Sequence, residues 1–327
     1  MTRLGNTLFA VFALAASAAV AGEPVDLQLD WIPGGNHAPI YYAADQGWYK
    51  AAGIDLTIET GKGSSVSVQS VGIGKSPIGV ADLGTTLIGI GQGAKLVAVM
   101  AMYENSPYTV YWLKSSGIAT VKDLAGRSLG NPPGDAARAM WPAIAKIAGL
   151  APDAVHFVNI APQAKLSALK SHAVDAMTDN YNGHDLKIRE LGADMGYQAF
   201  RDLGLNPHGH AFIVNADYLA AHRDAVTQFV RVTQRAYFAC IAAAQACVEA
   251  LLRANSGLSL EEHIDQWKRT QELMRDDYAH NVVLGGFDPE RMKQDYALIE
   301  TYFKIEKPFD IGQTYTNALL DPAIKMP

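Results

Sequence analysis

The stretch VDLQLDWIPGGNHAPIYYAADQGWYKAAGIDLTIETGKGSS, residues 25–65, indicates the fold class. Apolar and polar residues alternate in two parts of it, and apolar residues recur at helical spacing in two others. The pattern predicts a strand at 25–31, a helix at 37–52, a strand at 54–59 and a helix at 64–71. Gly53 fits the end of the first helix, because glycine readily adopts the left-handed conformation found there.

The same succession of strands and helices continues to residue 214. It predicts strands at 78–81 and 96–102 around a helix at 83–91. A second set follows, with strands at 109–113, 128–131, 155–160 and 174–178, helices at 135–148, 163–171 and 182–191, and a last strand at 211–214. This order is typical of α/β layering with a largely parallel sheet. Beyond residue 215 only helices are predicted, the first a long buried helix at 225–254.

Composition and charge limit the possible classes of protein. The chain has 327 residues, of which 49% are hydrophobic and 18% charged, as in a globular protein of about two domains. Lys and Arg total 27 against 33 Asp and Glu, so the formal net charge is -6. A nucleic-acid-binding protein usually has a basic surface, and the sequence therefore argues against that class.

The first 21 residues have the pattern of a secretory signal peptide. Arg3 precedes an apolar run at 8–20, and small residues lie at the positions that a signal peptidase reads before position 22. We predict cleavage after Ala21 and a soluble periplasmic protein; an uncleaved anchor is the alternative. No later stretch reaches 18 uninterrupted apolar residues, so no further membrane span is predicted.

The two cysteines, Cys240 and Cys247, are seven positions apart in the long predicted helix. In a continuous helix their Cα atoms would be roughly 10 Å apart, beyond the ~7 Å limit for a disulfide. We therefore expect two buried, unpaired cysteines on one helix face.

Four segments occur in an order and spacing that resemble a known family: residues 27–65 (LQLDWIPGG…GKGSS), SPIGVADLGT, VKDLAGRSLGNPPGD and ALKSHAVDAM. They are similar to the periplasmic solute-binding proteins of ABC importers, in the branch that binds thiamine precursors, riboflavin, sulfonates, taurine and nitrate. The resemblance extends from about Val25 to about Ala250.

This resemblance implies an α/β, two-lobe type II periplasmic-binding-protein fold with two hinge crossings and a helical C-terminal tail. One lobe would comprise 23–108 and 211–327, the other 109–210, with crossings near 106–111 and 207–212. It also implies a monomer that binds a small molecule, closes by hinge motion and docks on an ABC permease and its ATPase. No catalytic residue, cofactor or metal is expected, and the protein is not expected to be an enzyme.

Candidate ligand-binding residues follow the predicted strands, because ligands of open α/β sheets bind at the carboxyl ends of strands. The set is Trp31, Asn36, His37, Tyr42, Ser64, Ser65, Asp82, Tyr103, Asn105, Asn131, Gly134, Asp179, Tyr181, His184 and His210. Trp31 and Tyr181 are expected to face each other as an aromatic clamp. Asp135 is expected to cap its own helix rather than to bind ligand. His208 and His210 would point to the same side of a strand, but too few further ligands lie nearby for a metal site.

The aromatic residues and carboxylates of this set favour a planar, hydrogen-bonding ring as ligand. The DWIP…NH segment is similar to that of binders of thiamine pyrimidine precursors, although Gly34 replaces the Asn usual in that branch, and an expected acidic residue is replaced near Gly183 and His184. Alternatives are an aliphatic sulfonate, nitrate or an aromatic acid as ligand. Two other classes remain: a periplasmic sensor partner, and an enzyme similar to thiamine-pyrimidine synthases, which use a cysteine-rich motif, histidines and iron.

Overall fold

A computed structural model describes residues 22–327, and the predicted signal peptide at 1–21 lies outside the described residues. The strands are β1 Glu23–Gln28, β2 Ile54–Glu59, β3 Ile78–Asp82, β4 Leu96–Ala101, β5 Tyr108–Leu113, β6 Ser128–Gly130, β7 His156–Val158, β8 Ala176–Asn180, β9 Met195–Ala199 and β10 His210–Asn215.

Helices alternate with the strands up to β10, and the described chain after β10 contains helices but no further strand. They are α1 Ala38–Asp45, α2 Trp48–Ala51, α3 Ser64–Gly72, α4 Leu83–Gly91, α5 Ala136–Ala139, α6 Trp141–Ile147, α7 Lys165–Lys170, α8 His184–Leu191, α9 Ala216–Ala221, α10 Arg223–Ala242, α11 Ala244–Ala254, α12 Leu260–Leu273, α13 Asp277–Asn281 and α14 Pro289–Tyr302. Short 3-10 turns lie between several of them.

Two five-stranded sheets organise the molecule. The first has the order β2-β1-β3-β10-β4 and the second the order β7-β6-β8-β5-β9. In each sheet the strand that arrives from the other sheet, β10 or β5, runs antiparallel to both of its neighbours. The expectation of largely parallel sheets is therefore wrong for these strands, and β9 is a strand that the sequence pattern missed.

The chain crosses between the sheets twice, before β5 and before β10. The two crossing segments are hydrogen-bonded to each other: the Ser106 N–H donates to Asn206 Oδ1 at 2.9 Å, and Asn206 Nδ2 donates to Asn105 Oδ1 at 2.9 Å. The Gly209 N–H also donates to the Tyr103 carbonyl at 2.9 Å. The domain boundaries predicted at 108/109 and 210/211 stay a prediction.

The helical C-terminal region covers one face of the first sheet. Phe212 of β10 packs edge-on against Phe229 and Tyr237 of α10, with ring centroids 5.9 and 6.0 Å apart. The buried Trp267 of α12 donates its indole N–H to the Cys240 carbonyl at 2.8 Å. This packing fixes α12 beside the sheet edge where the candidate site lies.

The long helix predicted at 225–254 is two helices that meet at Ala243 with a bend of 120°. The bend brings the Cα atoms of Cys240 and Cys247 to 5.9 Å, and the two cysteines form a disulfide. The expectation of unpaired cysteines is wrong, because it assumed a continuous helix. No single helix within 22–327 is long and apolar enough to cross a membrane; by length and composition only the bent pair α10 and α11 together could.

The helix predicted at 37–52 is also divided. Gly47 has a φ of +68°, a left-handed conformation that ends α1 before α2 begins at Trp48. The break turns Trp48 towards Tyr42, whose ring it meets edge-on at 5.5 Å.

Candidate ligand-binding site

A cavity of about 370 Å³ lies between the two sheets. The loop after β1 and the start of α3 form one wall, and the starts of α5, α7 and α8 form the opposite wall. Residues 257–266, at and before the start of α12, close one side. The volume falls within the range of small-molecule sites.

Asp30 is the polar centre of the first wall. Its Oδ1 lies 2.9 Å from His37 Nε2 and its Oδ2 lies 3.0 Å from His210 Nε2. Burial opposes ionisation of Asp30, but the charge and hydrogen bond of His210, together with His37, hold the pKa of this carboxyl below its usual value. Burial would likewise lower the pKa of His210, but Asp30 raises it.

The hydrogen bonds of His37 fix its tautomer. The Gly34 N–H donates to His37 Nδ1 at 3.2 Å, so Nδ1 is an acceptor and the hydrogen resides on Nε2, which donates to Asp30. His37 is fully buried behind Asp30 and does not line the cavity. Its role in this arrangement is to orient the Asp30 carboxylate.

The second wall contains a chain of four alternating charges. Lys165 Nζ lies 3.1 Å from Asp135 Oδ2 and 3.6 Å from Asp179 Oδ1, and Lys187 Nζ pairs with Asp179 Oδ2. The lysine side chains are 4% and 5% exposed, so these are buried ion pairs. Burial would raise the pKa of Asp179, but Lys165 and Lys187 lower it to about 2. Burial would lower the pKa of Lys165, and its two carboxylates raise it instead.

Trp31 and Lys165 connect the two walls. The Lys165 ammonium lies 5.0 Å from the centre of the Trp31 ring, within the range of a cation–π contact. Asn182 adds a second link, since its Nδ2 donates to Asn36 Oδ1 and to the Tyr103 hydroxyl, each at 3.3 Å.

A third link lies at the rim, where α12 and α8 exchange ion pairs. Arg269 of α12 binds both carboxylate oxygens of Asp185 at 2.8 and 2.9 Å. Arg189 of α8 lies 2.7 Å from Asp265 of α12. The structure is therefore that of a closed arrangement, with side chains from both sheets in contact around the cavity.

Five of the fifteen candidate residues line the cavity, namely Trp31, Asn36, Ser64, Asp179 and His210. Ten do not: His37, Tyr42, Ser65, Asp82, Tyr103, Asn105, Asn131, Gly134, Tyr181 and His184. Whether the lining residues contact a ligand stays a prediction.

Several of the ten lie directly behind the lining. Asp82 caps α4 by accepting hydrogen bonds from the Thr85 N–H and hydroxyl, and its own N–H donates to Ser64 Oγ at 3.0 Å. The buried Asn131 pairs with the hydroxyl of Thr178 on β8. The Gly134 carbonyl accepts from the Ser65 N–H at 3.2 Å, which joins the starts of α3 and α5.

Others lie farther from the cavity. Tyr42 packs against Trp48, and Asn105 donates to the carbonyls of Leu273 and Arg275 at the end of α12. His184 Nδ1 and the Tyr111 hydroxyl are hydrogen-bonded to each other at 3.0 Å. Burial, followed by the charge of Arg269, lowers the pKa of His184 to about 4.

The predicted clamp between Trp31 and Tyr181 is not formed. The Tyr181 ring lies between the guanidinium groups of Arg201 and Arg269, at 4.2 and 5.3 Å, and stacks on His184 at 4.8 Å. These contacts hold Tyr181 in the rim contact between α12 and α8, so the group that meets Trp31 from the other wall is Lys165.

His208 and His210 do not form a pair. His208 precedes β10, and its Nδ1 lies 2.6 Å from Asp295 of α14, whereas His210 contacts Asp30. Among residues 22–327, no group of three or more His, Cys, Asp and Glu side chains has the arrangement of a metal site.

The charged residues Asp30, Asp135, Lys165 and Lys187 were not selected from the sequence as ligand-binding candidates. Asp135 was expected only to cap α5, which it does through the Ala137 N–H at 2.8 Å, but it also lines the cavity. The position of the two lysines in the chain could have identified them. Lys165 begins α7 and Lys187 lies in the first turn of α8, and both helices follow strands of the second sheet, where ligand-binding residues are expected.

The chain has a two-lobe periplasmic-binding-protein fold, which confirms the predicted fold class. The structure of the alkanesulfonate-binding protein SsuA from Xanthomonas axonopodis pv. citri, bound to MOPS, matches with a TM-score of 0.69 at 15% identity, covering 94% of this chain and 99% of that one. The model of the NMT1/THI5-like family matches residues 35–246. The chain belongs to this family, which confirms the resemblance seen in the sequence.

Two curated relatives match over nearly the whole chain. The formylaminopyrimidine-binding protein of Halalkalibacterium halodurans is 21% identical over 299 residues, or 90% of this chain and 89% of that protein. The 4-amino-5-hydroxymethyl-2-methylpyrimidine phosphate synthase of Legionella pneumophila is 22% identical over 303 residues, or 90% of this chain and 92% of that protein.

Proposed function

We propose that the protein binds a small, uncharged heteroaromatic solute, a pyrimidine of the thiamine-precursor type, without altering it. The observation that carries the proposal is that carboxylates balance the cations of the cavity lining. Lys165 and Lys187 are paired with Asp135 and Asp179, and His210 is paired with Asp30. A neutral ring with polar atoms can hydrogen-bond to these groups and pack on Trp31 without adding an uncompensated charge.

The same balance argues against a sulfonate, nitrate or an aromatic acid. A buried anion needs an uncompensated positive charge or free N–H groups, because desolvating it is otherwise costly. Within residues 22–327, no arginine lines the cavity. At the start of α3, the Ser65 N–H donates to the Gly134 carbonyl and is therefore already engaged.

The proposed setting is the periplasm, after cleavage of the signal peptide at 1–21. There the closed, solute-bound monomer would dock on an ABC permease and its ATPase. The fold and the contacts between the walls support this part of the proposal, since closure joins surfaces from both lobes into one face. A periplasmic sensor protein would use the same closed form. It would differ from a transport protein in binding a receptor instead of a permease.

An enzyme is the competing class, because the Legionella relative is named as a synthase. The residues present do not fit the iron chemistry that the sequence resemblance associates with such enzymes. Cys240 and Cys247 are joined in a disulfide at the α10–α11 bend and do not line the cavity. The proposal is therefore capture and release.

Isothermal titration of the chain without residues 1–21 tests this function. We expect 4-amino-5-hydroxymethyl-2-methylpyrimidine or formylaminopyrimidine to bind, to raise the melting temperature by mass action and to be recovered unchanged. Methanesulfonate, nitrate and benzoate serve as anionic comparisons. Binding of an anion but of neither pyrimidine would overturn the proposal, and chemical conversion of the pyrimidine would favour the enzyme.

A further inference from the structure

The starts of β5 and β10 and the end of β3 bring three unpartnered polar atoms close together, and two of them belong to side chains that line the cavity. Within residues 22–327, the buried Tyr108 hydroxyl, His210 Nδ1 and Asp82 Oδ2 have no hydrogen-bond partner. Tyr108 and His210 both line the cavity, and their rings are 6.1 Å apart. Asp82 lies directly opposite His210 in the β3–β10 register.

His210 and Asp82 each have a second polar side-chain atom, and in both residues that second atom is already hydrogen-bonded. His210 Nε2 is held by Asp30 at 3.0 Å, which leaves Nδ1 free. Asp82 Oδ1 accepts from the Thr85 N–H and hydroxyl at 2.6 and 2.8 Å, which leaves Oδ2 beside the Tyr108 hydroxyl. Buried polar atoms are nearly always hydrogen-bonded in native proteins. Unpaired atoms on two side chains that line the cavity therefore mark Tyr108 and His210 as candidate contacts for polar atoms of a ligand.

We propose that Tyr108 and His210 determine the specificity of the site by binding one polar edge of the solute. This inference rests on the proposed function. His210 Nδ1–H donates to an acceptor atom of the ring. The Tyr108 hydroxyl donates to Asp82 Oδ2 and accepts from an N–H of the solute. The selected edge therefore has an acceptor next to a donor, as in the N3 and 4-amino group of a 4-aminopyrimidine. A pyrimidin-4-one presents the reverse order.

The protonation state of His210 supports the direction of these bonds. The charged and titratable groups around its ring are Asp30, Asp82, Asp135, Tyr103 and Tyr108, with His37 behind Asp30. Burial lowers the pKa of His210, but the three carboxylates together raise it. The charged ring donates from Nδ1. When it loses a proton at higher pH and keeps Nε2–H for Asp30, Nδ1 becomes an acceptor.

The test compares two probes that differ in this edge alone: 4-amino-5-hydroxymethyl-2-methylpyrimidine and its 4-oxo analogue. We expect the unmodified chain to prefer the amino probe by at least about 10-fold, and the preference to shrink from pH 6 to pH 9. His210→Gln keeps an N–H for Asp30 but lacks Nδ1, and should lose about 10- to 100-fold in affinity for the amino probe. Tyr108→Phe should lose about 10-fold.

Tyr111→Phe is the matched control, because Tyr111 is a buried tyrosine of the same strand that does not line the cavity. Its affinity for both probes should be unchanged. Equal binding of the two probes by the unmodified chain overturns the inference and leaves the proposed function standing. Unchanged affinity in both site variants does the same. Binding of neither probe overturns the inference, and if formylaminopyrimidine does not bind either, the proposed function is overturned as well. The probe preference needs no variant, so a variant that fails to fold does not prevent the test.

Discussion

The two walls of the cavity come from sheets of the same topology but have different chemistry. Each sheet has five strands, with the incoming strand inserted antiparallel at the fourth position. The first wall holds a carboxylate between two histidines, and the second holds two lysines between two carboxylates. Among the described residues that line these two walls, the first includes a histidine, His210, and the second includes none; histidine is the side chain that ordinarily changes protonation near neutral pH. The topology thus fixes where polar groups collect, and the residue types determine which conditions they respond to.

Breaking the second wall should have the largest effect. Lys165→Met leaves Asp135 and Asp179 in a buried site with one cation fewer, and removing one partner of a buried ion pair costs about 3–5 kcal/mol. Urea unfolding measures the loss. Lys170→Met is the control: Lys170 is on the same helix, and its pair with Glu190 is exposed, so a change of at most about 0.5 kcal/mol is expected. Equal losses for the two variants would show that the buried ion pairs of Lys165 stabilise the fold no more than an exposed pair does.

Removing the aromatic contact between the walls should affect binding more than stability. Trp31→Ala should weaken binding of the pyrimidine probe by about 2–3 kcal/mol, since a buried aromatic face and a cation–π partner are lost. Titration calorimetry and melting temperature report the two quantities separately. Trp48→Ala, a partly buried tryptophan outside the cavity lining, should leave affinity unchanged. A parallel loss of stability and affinity would make Trp31 a packing residue.

The crossing region between the walls contains a buried acid with a smaller expected effect. Burial, together with nearby Asp276 and Asp295 and against Arg291, raises the pKa of Glu104 well above 4.5. A raised pKa means that its contribution to stability is present below pH 4.5 and is lost as the pH rises. Glu104→Gln should therefore increase the free energy of unfolding by about 1–2 kcal/mol at pH 8, with little change at pH 4.

The control for this change is Glu290→Gln, on the exposed face of α14. It should shift stability by no more than about 0.5 kcal/mol at either pH. If Glu104→Gln instead destabilises the chain at pH 8, the Glu104 carboxylate stabilises the native state and the prediction is wrong.

The smallest effect is a difference in pH response between the walls. The pKa of His210 is raised above 6.5, so the stability it contributes is complete below pH 6.5 and is lost as the pH rises through the raised value. The lowered pKa of Asp30 makes its contribution present above pH 3.8 and lost in stronger acid. His210→Gln should cost about 1 kcal/mol at pH 5.5 and less at pH 8.5.

Lys165→Met provides the comparison, because the pKa of Asp179 is about 2 and that of Lys165 is raised above 10.5. Its cost should be the same at pH 5.5 and pH 8.5. Thermal unfolding in matched buffers measures both variants. A pH-dependent cost for Lys165→Met would remove the distinction between the walls.

The sequence predicted all strands except β9 and five of the cavity-lining residues for a simple reason. Alternating apolar residues define β1 and β2. The rule that ligands bind at strand ends selects Trp31, Asn36, Ser64 and Asp179, and His210 was selected at the second crossing between the lobes. Lys165 and Lys187 were missed because a lysine within an amphipathic helix usually faces solvent. Only the tertiary arrangement, with carboxylates from a neighbouring strand and helix start, makes these two buried.

The disulfide was missed for a different physical reason. The sequence around Ala243, IAAAQAC, consists largely of residues with high helix propensity and contains neither Gly nor Pro. No local signal marks the break, since packing of α11 against α1 and α12 sets the direction of the chain there. The same holds for Tyr181, whose position depends on two arginines distant in sequence.

Because of the disulfide at the α10–α11 bend, the stability of the protein depends on the redox conditions in which the chain folds. Disulfides persist in oxidising compartments and are rare in a reducing cytosol. Closing a loop this short removes freedom from the unfolded chain equivalent to about 2–3 kcal/mol. Protein produced in a reducing cytosol should therefore have the same fold but a lower melting temperature. Variants must be compared after preparation under the same redox conditions.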